Sequence, residues 1–351
     1  GGGQGRTPYV AQEIARFVPR ARLLSYLEAI MRVYNLHGRR DNIYKARIKI
    51  LVNALGIDEF RRQVEAEWAT LDAPSIDLPD EEFQRIAAYF APRKLKPRRT
   101  TDPLFARWLR TNVLPHRVPG YAIVNISFKE PGKVPGDATA EQMEAVAALA
   151  EQYGHDEIRV SYQQNLVLPT VAVADLARIY DALIKQRLET ANTELITDII
   201  ACPGLDYCNL ANARSIPIAQ EIAKRFADPA RAEVIGPLRL NISGCINACG
   251  HHHAGNIGIL GVDKKGTEHY QITLGGSPKD DAEVGDIIGP SFTADAVPDA
   301  IEKIVETSLS LRRDASETFV VAYRRLGKVP FRTALYGPEP TRRADREAAH
   351  V

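Results

Sequence analysis

The chain has 351 residues, of which 45% are hydrophobic and 25% are charged, and its formal net charge at pH 7 is +1. A chain of this length supports two or three domains, and its balanced charge argues against a nucleic-acid or membrane partner. No apolar run approaches the roughly 18 residues that a membrane-spanning helix requires, so we expect a cytoplasmic protein.

The first third of the chain has mainly helical patterns. Apolar residues at helical spacing predict helices within residues 10–35, and "NIYKARIKILVNALG" predicts a further helix that ends at Gly56. Residues 71–104 are rich in proline and charge, which is typical of a linker that runs over the surface.

The middle of the chain alternates between strand and helix patterns. Residues 120–128 and 157–171 have the pattern of strands, "TAEQMEAVAALAEQYG" predicts the helix between them, and "VADLARIYDALIKQRL" predicts a helix after them. This β-α-β-α order indicates an α+β fold with mixed or antiparallel sheets and flanking helices.

The last third predicts a second region of strands and helices. "TDIIACPG" is predicted to be a strand that enters a loop, "SIPIAQEIAKRFAD" a helix, and residues 238–245 a strand. Residues 256–276 predict a hairpin with its turn at Lys264, Lys265 and Gly266, and "AVPDAIEKIVETSLSLRR" predicts a helix.

An internal similarity links the two ends of the chain. "YLEAIMRVYNLHGRRD" followed by "LGIDEFR" resembles "AIEKIVETSLSLRRD" followed by "LGKVPFR", at an offset of 271–274 residues. A glycine-rich stretch precedes each copy. Chance similarity between amphipathic helices is the alternative; a true repeat predicts one whole copy here and only the tail of another.

The four cysteines are concentrated in one short region. Cys202 and Cys208 are separated by five residues, Cys245 and Cys249 by three, and the rest of the chain has none. A large chain with its own core does not need disulfides, so this clustering favours a metal site. The wide first gap favours an iron–sulfur cluster over zinc, and zinc remains the alternative.

The cysteine segments resemble a known family. "ACPGLDYC" with "NISGCINACG" is similar to the signature of sirohaem-dependent sulfite and nitrite reductases, as are "GRTP", "NIYKARIKI", "PGDATAEQM", "QQNLVLP", "LANARSIPIAQ" and "GILGVDKKG". The resemblance implies a [4Fe–4S] cluster held by Cys202, Cys208, Cys245 and Cys249. It also implies that Cys249 bridges the cluster to the iron of sirohaem.

The same resemblance implies further cofactor contacts, because sirohaem carries eight carboxylates that Arg, Lys and backbone N–H groups must neutralise. Six residues are candidates for cofactor binding, and each has an ordinary structural alternative: Arg6, Thr7, Arg47, Lys49, Gln164 and Asn247. His251, His252 and His253 resemble a metal site in isolation, but we expect them to pack around the cluster rather than to bind it.

The resemblance predicts a domain organisation and a function. Residues 1–74 are predicted to be the tail of a first cofactor-binding repeat, 75–104 a linker, 105–190 a ferredoxin-like half-domain, 191–340 the domain that binds the cluster and sirohaem, and 341–351 a tail. The implied fold is the repeated reductase architecture, truncated at its N-terminus.

The implied activity is the six-electron reduction of sulfite to sulfide by the C-terminal part of an assimilatory reductase. Nitrite reduction to ammonia is the alternative, and a non-catalytic iron–sulfur or zinc protein is the alternative of another class. The electron donor is expected to be ferredoxin or a flavoprotein subunit. Since the family's substrate-binding basic residues match no segment here, we assign no catalytic residue and expect the isolated chain to bind cofactor weakly and turn over little.

Overall fold

The structure is a computed structural model that describes residues 1–90 and 103–338. The chain divides into two compact units, Gly1–Arg93 and Lys94–Val351. Residues 91–102 of the predicted linker and all of the predicted tail 341–351 lie outside the described residues. The predicted domain boundaries stay a prediction.

The first unit is helical. Its helices are α1 Leu23–His37, α2 Ile48–Leu55, α3 Ile57–Thr70, α4 Ala73–Ile76 and α5 Asp80–Tyr89. Their apolar faces enclose one core, in which Tyr26, Ala29, Phe60 and Val64 are almost fully buried. Gly56 separates α2 from α3 with φ +81°, a left-handed conformation that costs other residues free energy, so the helix ends where the sequence predicts.

Two sequence-based predictions in this unit are wrong. Residues 11–18 are not helical, because the carbonyl groups of Glu13 and Ile14 accept hydrogen bonds from the Arg61 side chain and Pro19 follows. Part of the predicted linker is the helix α5, whose N-terminus carries Asp80, as the helix dipole favours.

The second unit holds two sheets with helices packed on them. The helices are α6 Pro103–Asn112, α7 Ala140–Tyr153, α8 Leu176–Lys185, α9 Ile216–Arg225, α10 Pro229–Ile235, α11 Val297–Leu311, α12 Phe319–Leu326 and α13 Val329–Tyr336. The strands are β1 Val113–Pro115, β2 Tyr121–Ile126, β3 Arg159–Val160, β4 Leu166–Ala172, β5 Ile200–Ala201, β6 Leu240–Ser243, β7 Ile257–Lys264, β8 Thr267–Leu274, β9 Asp286–Ile287 and β10 Phe292–Thr293.

The smaller sheet is antiparallel in the order β1-β2-β4-β3. Helices α6, α7 and α8 contribute Trp108, Val146 and Ile179 to its core. Helix α7 begins with a capping box in which Thr139 and Gln142 exchange side-chain-to-backbone hydrogen bonds. The predicted strand 157–171 is broken into β3 and β4 by a turn, which proves important for the cysteine region.

The larger sheet is mixed, in the order β10-β8-β7-β6-β5, with β9 paired to β8. Strands β5, β6 and β7 are parallel, and the hairpin β7–β8 turns at Lys265 and Gly266, whose positive φ values of 56° and 82° suit a tight hairpin turn. These mixed and antiparallel sheets with flanking helices confirm the predicted α+β class.

The structure supports the internal repeat. Helices α1 and α11 both have 15 residues, and α2 and α12 both have 8. A glycine with positive φ follows the shorter helix in each copy, at Gly56 and Gly327. The phenylalanine of each L-G-x-x-x-F-R segment is buried, at Phe60 and Phe331.

Candidate metal centre

The parallel arrangement of β5 and β6 brings the two cysteine pairs to one edge of the sheet. Cys202 directly follows β5, and Cys245 lies two residues after β6. Because the carboxyl ends of parallel strands meet at the same edge, the loops that carry the four cysteines start side by side.

Cys202 is the most firmly held of the four. Its backbone N–H donates to the carbonyl oxygen of Ile242 on β6 at 3.1 Å. Its buried Sγ accepts a hydrogen bond from the N–H of Gly244 at 3.1 Å and lies 3.4 Å from Oγ of Ser215. A thiolate at this position would therefore be stabilised by a donor already aimed at it.

Cys208 ends a short helical turn over Gly204–Asp206. Its N–H donates to the carbonyl of Gly204 at 2.9 Å, and the thiol is half-buried. Gly204 has φ +60°, and a Cβ on it would come within 2.5 Å of the Ser215 nitrogen. Only glycine fits this approach of the loop to the start of α9.

Cys245 and Cys249 flank a strained turn. The N–H of Ala248 donates to the carbonyl of Cys245 at 3.2 Å, and Ala248 adopts φ 59°, which is unfavourable for a residue with a Cβ. Cys245 is buried, whereas Cys249 reaches the surface. Gly250 then anchors the turn, because its N–H donates to Oγ of Ser243 at 3.1 Å.

All four cysteines are free thiols. The surrounding protein partly desolvates Cys249 and raises the pKa of its thiol, and the neighbouring Cys202, Cys245 and Cys208 raise it further. The three other sulfur atoms are therefore close enough to Cys249 to interact with it electrostatically.

In the two described ranges, no three or more His, Cys, Asp or Glu side chains are grouped so that they could hold one metal ion. A cubane cluster binds one thiolate on each of its irons, so its ligands need not converge on a single point. Four free thiols without a competing disulfide are the donor set that such a cluster requires.

The three histidines pack behind the cysteine turn. His252 is 1% exposed, and burial followed by the neighbouring His253 lowers its pKa to about 3. The two rings lie 3.9 Å apart between centroids, and Asn241 donates to the carbonyls of Gly250 and His251 at 3.1 Å each. His252 is consequently a neutral core residue near neutral pH.

The candidate cofactor residues fall into two groups. In the first unit, Nζ of Lys49 donates to the carbonyls of Gly3, Gln4 and Thr7, which uses all three ammonium donors. Burial, and then the charge of Arg47, lower the pKa of Lys49. Arg6, Thr7 and Arg47 are exposed. Their predicted cofactor contacts stay predictions.

The other two candidates lie in the second unit. Asn247 is exposed between the last two cysteines. Gln164 has φ 60° in the turn between β3 and β4, and its amide bonds to both backbone groups of Ala201, the residue before Cys202. A cavity of about 380 Å³ lies next to this contact, with Gln164, Ala201, Pro203 and Tyr207 in its lining.

The sequence analysis missed the residues that shape the loops. Ser215 and Ser243 bond to the cysteine segments, and Gly244 allows close packing because a Cβ there would lie 2.6 Å from the Ala213 carbonyl. The glycines that precede Cys245 and follow Cys249 were a visible signal. Their contacts are with residues distant in sequence, which a local pattern does not reveal.

Comparison with known proteins identifies the family. The sequence model described as "Nitrite and sulphite reductase 4Fe-4S domain" matches residues 1–71 and 193–315, more than half of the chain. The "Nitrite/Sulfite reductase ferredoxin-like half domain" matches residues 132–186. The chain therefore belongs to the nitrite and sulfite reductase family, which confirms the resemblance, and membership implies a [4Fe–4S] cluster and sirohaem as cofactors.

Individual relatives agree with this assignment. The chain is 29% identical to the chloroplastic ferredoxin–nitrite reductase of Zea mays, over 83% of this chain and 48% of the relative. It is 28% identical to sulfite reductase [ferredoxin] 2 of Mycolicibacterium paratuberculosis, over 89% of this chain and 53% of the relative. The chain thus spans about half the length of these curated relatives.

A solved structure shows the same fold. The Mycobacterium tuberculosis NirA protein superposes with a TM-score of 0.70 at 25% identity, over 93% of this chain and 56% of that one. In the part of our chain that the structure describes, no helix has the length and apolar character needed to cross a membrane.

Proposed function

We propose that this chain is the cluster-binding part of a sirohaem-dependent reductase whose whole protein reduces sulfite to sulfide, with Cys202, Cys208, Cys245 and Cys249 as the cluster ligands and Cys249 as the bridge to sirohaem. The observation that supports it best is the set of four free thiols on two loops at adjacent parallel strands. Bound cofactors of this kind supply single-electron transfer to the metal that holds the anion.

Nitrite is the second candidate substrate, because both nitrite and sulfite reductases are among the relatives. Ferredoxin is the proposed electron donor, since the names of both relatives include it. A cytoplasmic location is part of the same proposal. Arg6, Thr7, Arg47, Lys49, Gln164 and Asn247 remain the proposed cofactor-contacting residues.

The ligand assignment is tested by anaerobic reconstitution of the full chain with iron and sulfide. We expect reduced protein to give the electron paramagnetic resonance (EPR) signal of a [4Fe–4S] cluster, and each single Cys→Ala substitution to lower bound iron and change that signal. Because we expect weak cluster retention, wild type and variants are compared at equal concentration without oxygen.

His253→Ala is the control, because a cysteine-bound cluster does not depend on that imidazole. Unchanged iron in Cys208→Ala together with iron loss in His253→Ala would contradict the proposal. A colourless protein that binds stoichiometric zinc and no iron would favour the zinc alternative instead.

A further inference from the structure

Strand β5 lies at an edge of the larger sheet, and its last residue has backbone groups that β6 cannot reach. Cys202 N–H bonds to Ile242 on β6. Because neighbouring residues of a strand direct their N–H and C=O groups to opposite sides, those of Ala201 point away from β6. Ala201 is only 4% exposed, so these groups need protein partners.

The side chain of Gln164 supplies both partners. Its Nε2 donates to the Ala201 carbonyl at 2.7 Å, and the Ala201 N–H donates to its Oε1 at 3.1 Å. One primary amide thus replaces a missing neighbouring strand. Gly136, with φ +82°, permits the approach, because a Cβ there would lie 3.1 Å from Cβ of Gln164.

The residues on either side of Gln164 hold the same segment. Nε2 of Gln163 donates to Glu194 at 2.7 Å, and Nδ2 of Asn165 donates to Asp198 at 3.0 Å. Asp198 also pairs with Lys129 at 2.9 Å, and both side chains are at most 2% exposed. Three consecutive side chains therefore hold residues 194–201, which lead into Cys202.

We propose that Gln164 is a positioning residue that fixes Ala201 and thereby sets the position of the Cys202 thiol. The geometry favours this role because Gln164 keeps the left-handed φ of 60°, a strain that the surrounding contacts must offset. The consequence for a bound cluster rests on the proposed function. The effect on the free thiol does not.

The test uses Gln164→Met in the full chain, which keeps the approximate size but removes both hydrogen bonds. In cluster-free protein we expect the Ala201 amide to exchange with solvent deuterium at least about tenfold faster, since a buried unsatisfied group costs about 1–3 kcal/mol. We also expect faster alkylation of the buried Cys202 thiol, measured by mass spectrometry. After reconstitution, the EPR spectrum of the reduced cluster should shift or broaden.

Gln142→Met is the matched control. Its amide also accepts from one backbone N–H, of Thr139 at 3.1 Å, and donates to one backbone carbonyl, of Gln186 at 2.9 Å. This variant loses the same kinds of bond away from the cysteines, so exchange at Ala201 and alkylation of Cys202 should match wild type. Gln164→Glu serves if Gln164→Met does not fold, because it loses only the donor to Ala201.

Unchanged Ala201 exchange and Cys202 alkylation in the Gln164 variants would overturn the proposal. Equal acceleration in Gln142→Met would also overturn it, because the effect would then be general destabilisation. If wild type gives no [4Fe–4S] EPR signal, the cluster assignment fails, whereas the exchange and alkylation results still decide the role of Gln164.

Discussion

Gly250 shows how closely the backbone must pack beside a proposed ligand. It follows Cys249, and a Cβ on it would overlap the carbonyl oxygen of Ile242 on β6. Gly250 therefore keeps the end of the cysteine turn against the strand from which the turn began. A side chain there would move either the strand or Cys249.

We expect Gly250→Ala to lower the free energy of unfolding by about 3 kcal/mol, because an overpacked backbone contact must shift. Bound iron after reconstitution should fall as well. Gly266→Ala is the control: Gly266 has φ +82° but no atom within 4 Å of its added Cβ, so about 1 kcal/mol is expected from backbone strain alone. Equal iron binding by the two variants would contradict this account.

The buried pair of Lys129 and Asp198 makes a second prediction for single residues. Lys129→Met leaves the Asp198 carboxylate buried without its cation, which costs about 3–5 kcal/mol. Adding Asp198→Asn removes the unpaired charge and should recover part of that loss, as measured by denaturant unfolding. If the double variant is as unstable as the sum of both single variants, charge pairing is not the reason.

Among the structural elements, the segment before β5 also depends on an ion pair at its surface. Arg239, just before β6, donates to Glu194 from Nε at 3.0 Å and to the Tyr162 hydroxyl at 2.6 Å. Burial alone would raise the pKa of Glu194, but the hydrogen bonds and charge of Arg239 outweigh it and lower that pKa. The carboxylate therefore stabilises the folded state when it is ionised.

The pH dependence of Glu194→Gln follows from that direction. A carboxyl whose pKa is lower in the folded than in the unfolded chain contributes stability above its unfolded pKa of about 4.3. That contribution is lost as the pH falls through the folded pKa. The variant should therefore be less stable than wild type at pH 7, and the difference should shrink below about pH 4; a difference independent of pH would exclude this origin.

Elements with strong local signals were predictable. The helix α7, the helix α11 and the β7–β8 hairpin have clear periodicity and turn residues, and the structure contains all of them. The break between β3 and β4 was not predictable, because Gln164 leaves the strand conformation to bond with Ala201, a residue distant in sequence. Residues 11–18 failed for a similar reason, since Arg61 competes for their carbonyl groups.

The candidate site was partly predictable in the same sense. The four cysteines and their spacing are visible in the sequence, as is the family resemblance. The donors to Cys202 Sγ and the close glycine contacts depend on tertiary packing. Lys49 illustrates the difference, because its charge indicated an anion contact whereas its ammonium group holds three backbone carbonyls.

At the scale of the whole molecule, the repeat makes matched predictions for the two units. Phe60 and Phe331 occupy equivalent positions, and both are at most 2% exposed. Phe→Ala should cost about 3–5 kcal/mol at either position. Hydrogen exchange should accelerate mainly in α1–α3 for Phe60→Ala and mainly in α11–α13 for Phe331→Ala; the same exchange pattern in both variants would contradict separate cores.

The repeat also includes the loops before the first helix of each copy. Gly3 pairs with Tyr9, and Ser277 pairs with Glu283, so both partners stand 274 positions apart between the copies. The loops differ in how they are held. Lys49 binds backbone carbonyls in the first copy, whereas Arg324 binds the Asp281 carboxylate and lies 3.3 Å from Glu283 in the second.

This difference separates the ancestry of the fold from the chemistry of its loops. The 274-residue offset becomes 271 between Gly56 and Gly327, so a length change of three residues in the connection before the shorter helix accounts for the drift. The helices have diverged in sequence while keeping their lengths. The loop at residues 3–9 carries one arginine and no acidic residue, whereas the loop at 277–283 carries three acidic residues. Duplication thus produced two equivalent backbones with opposite loop charge, and only the first retains a loop electrostatically suited to an anion.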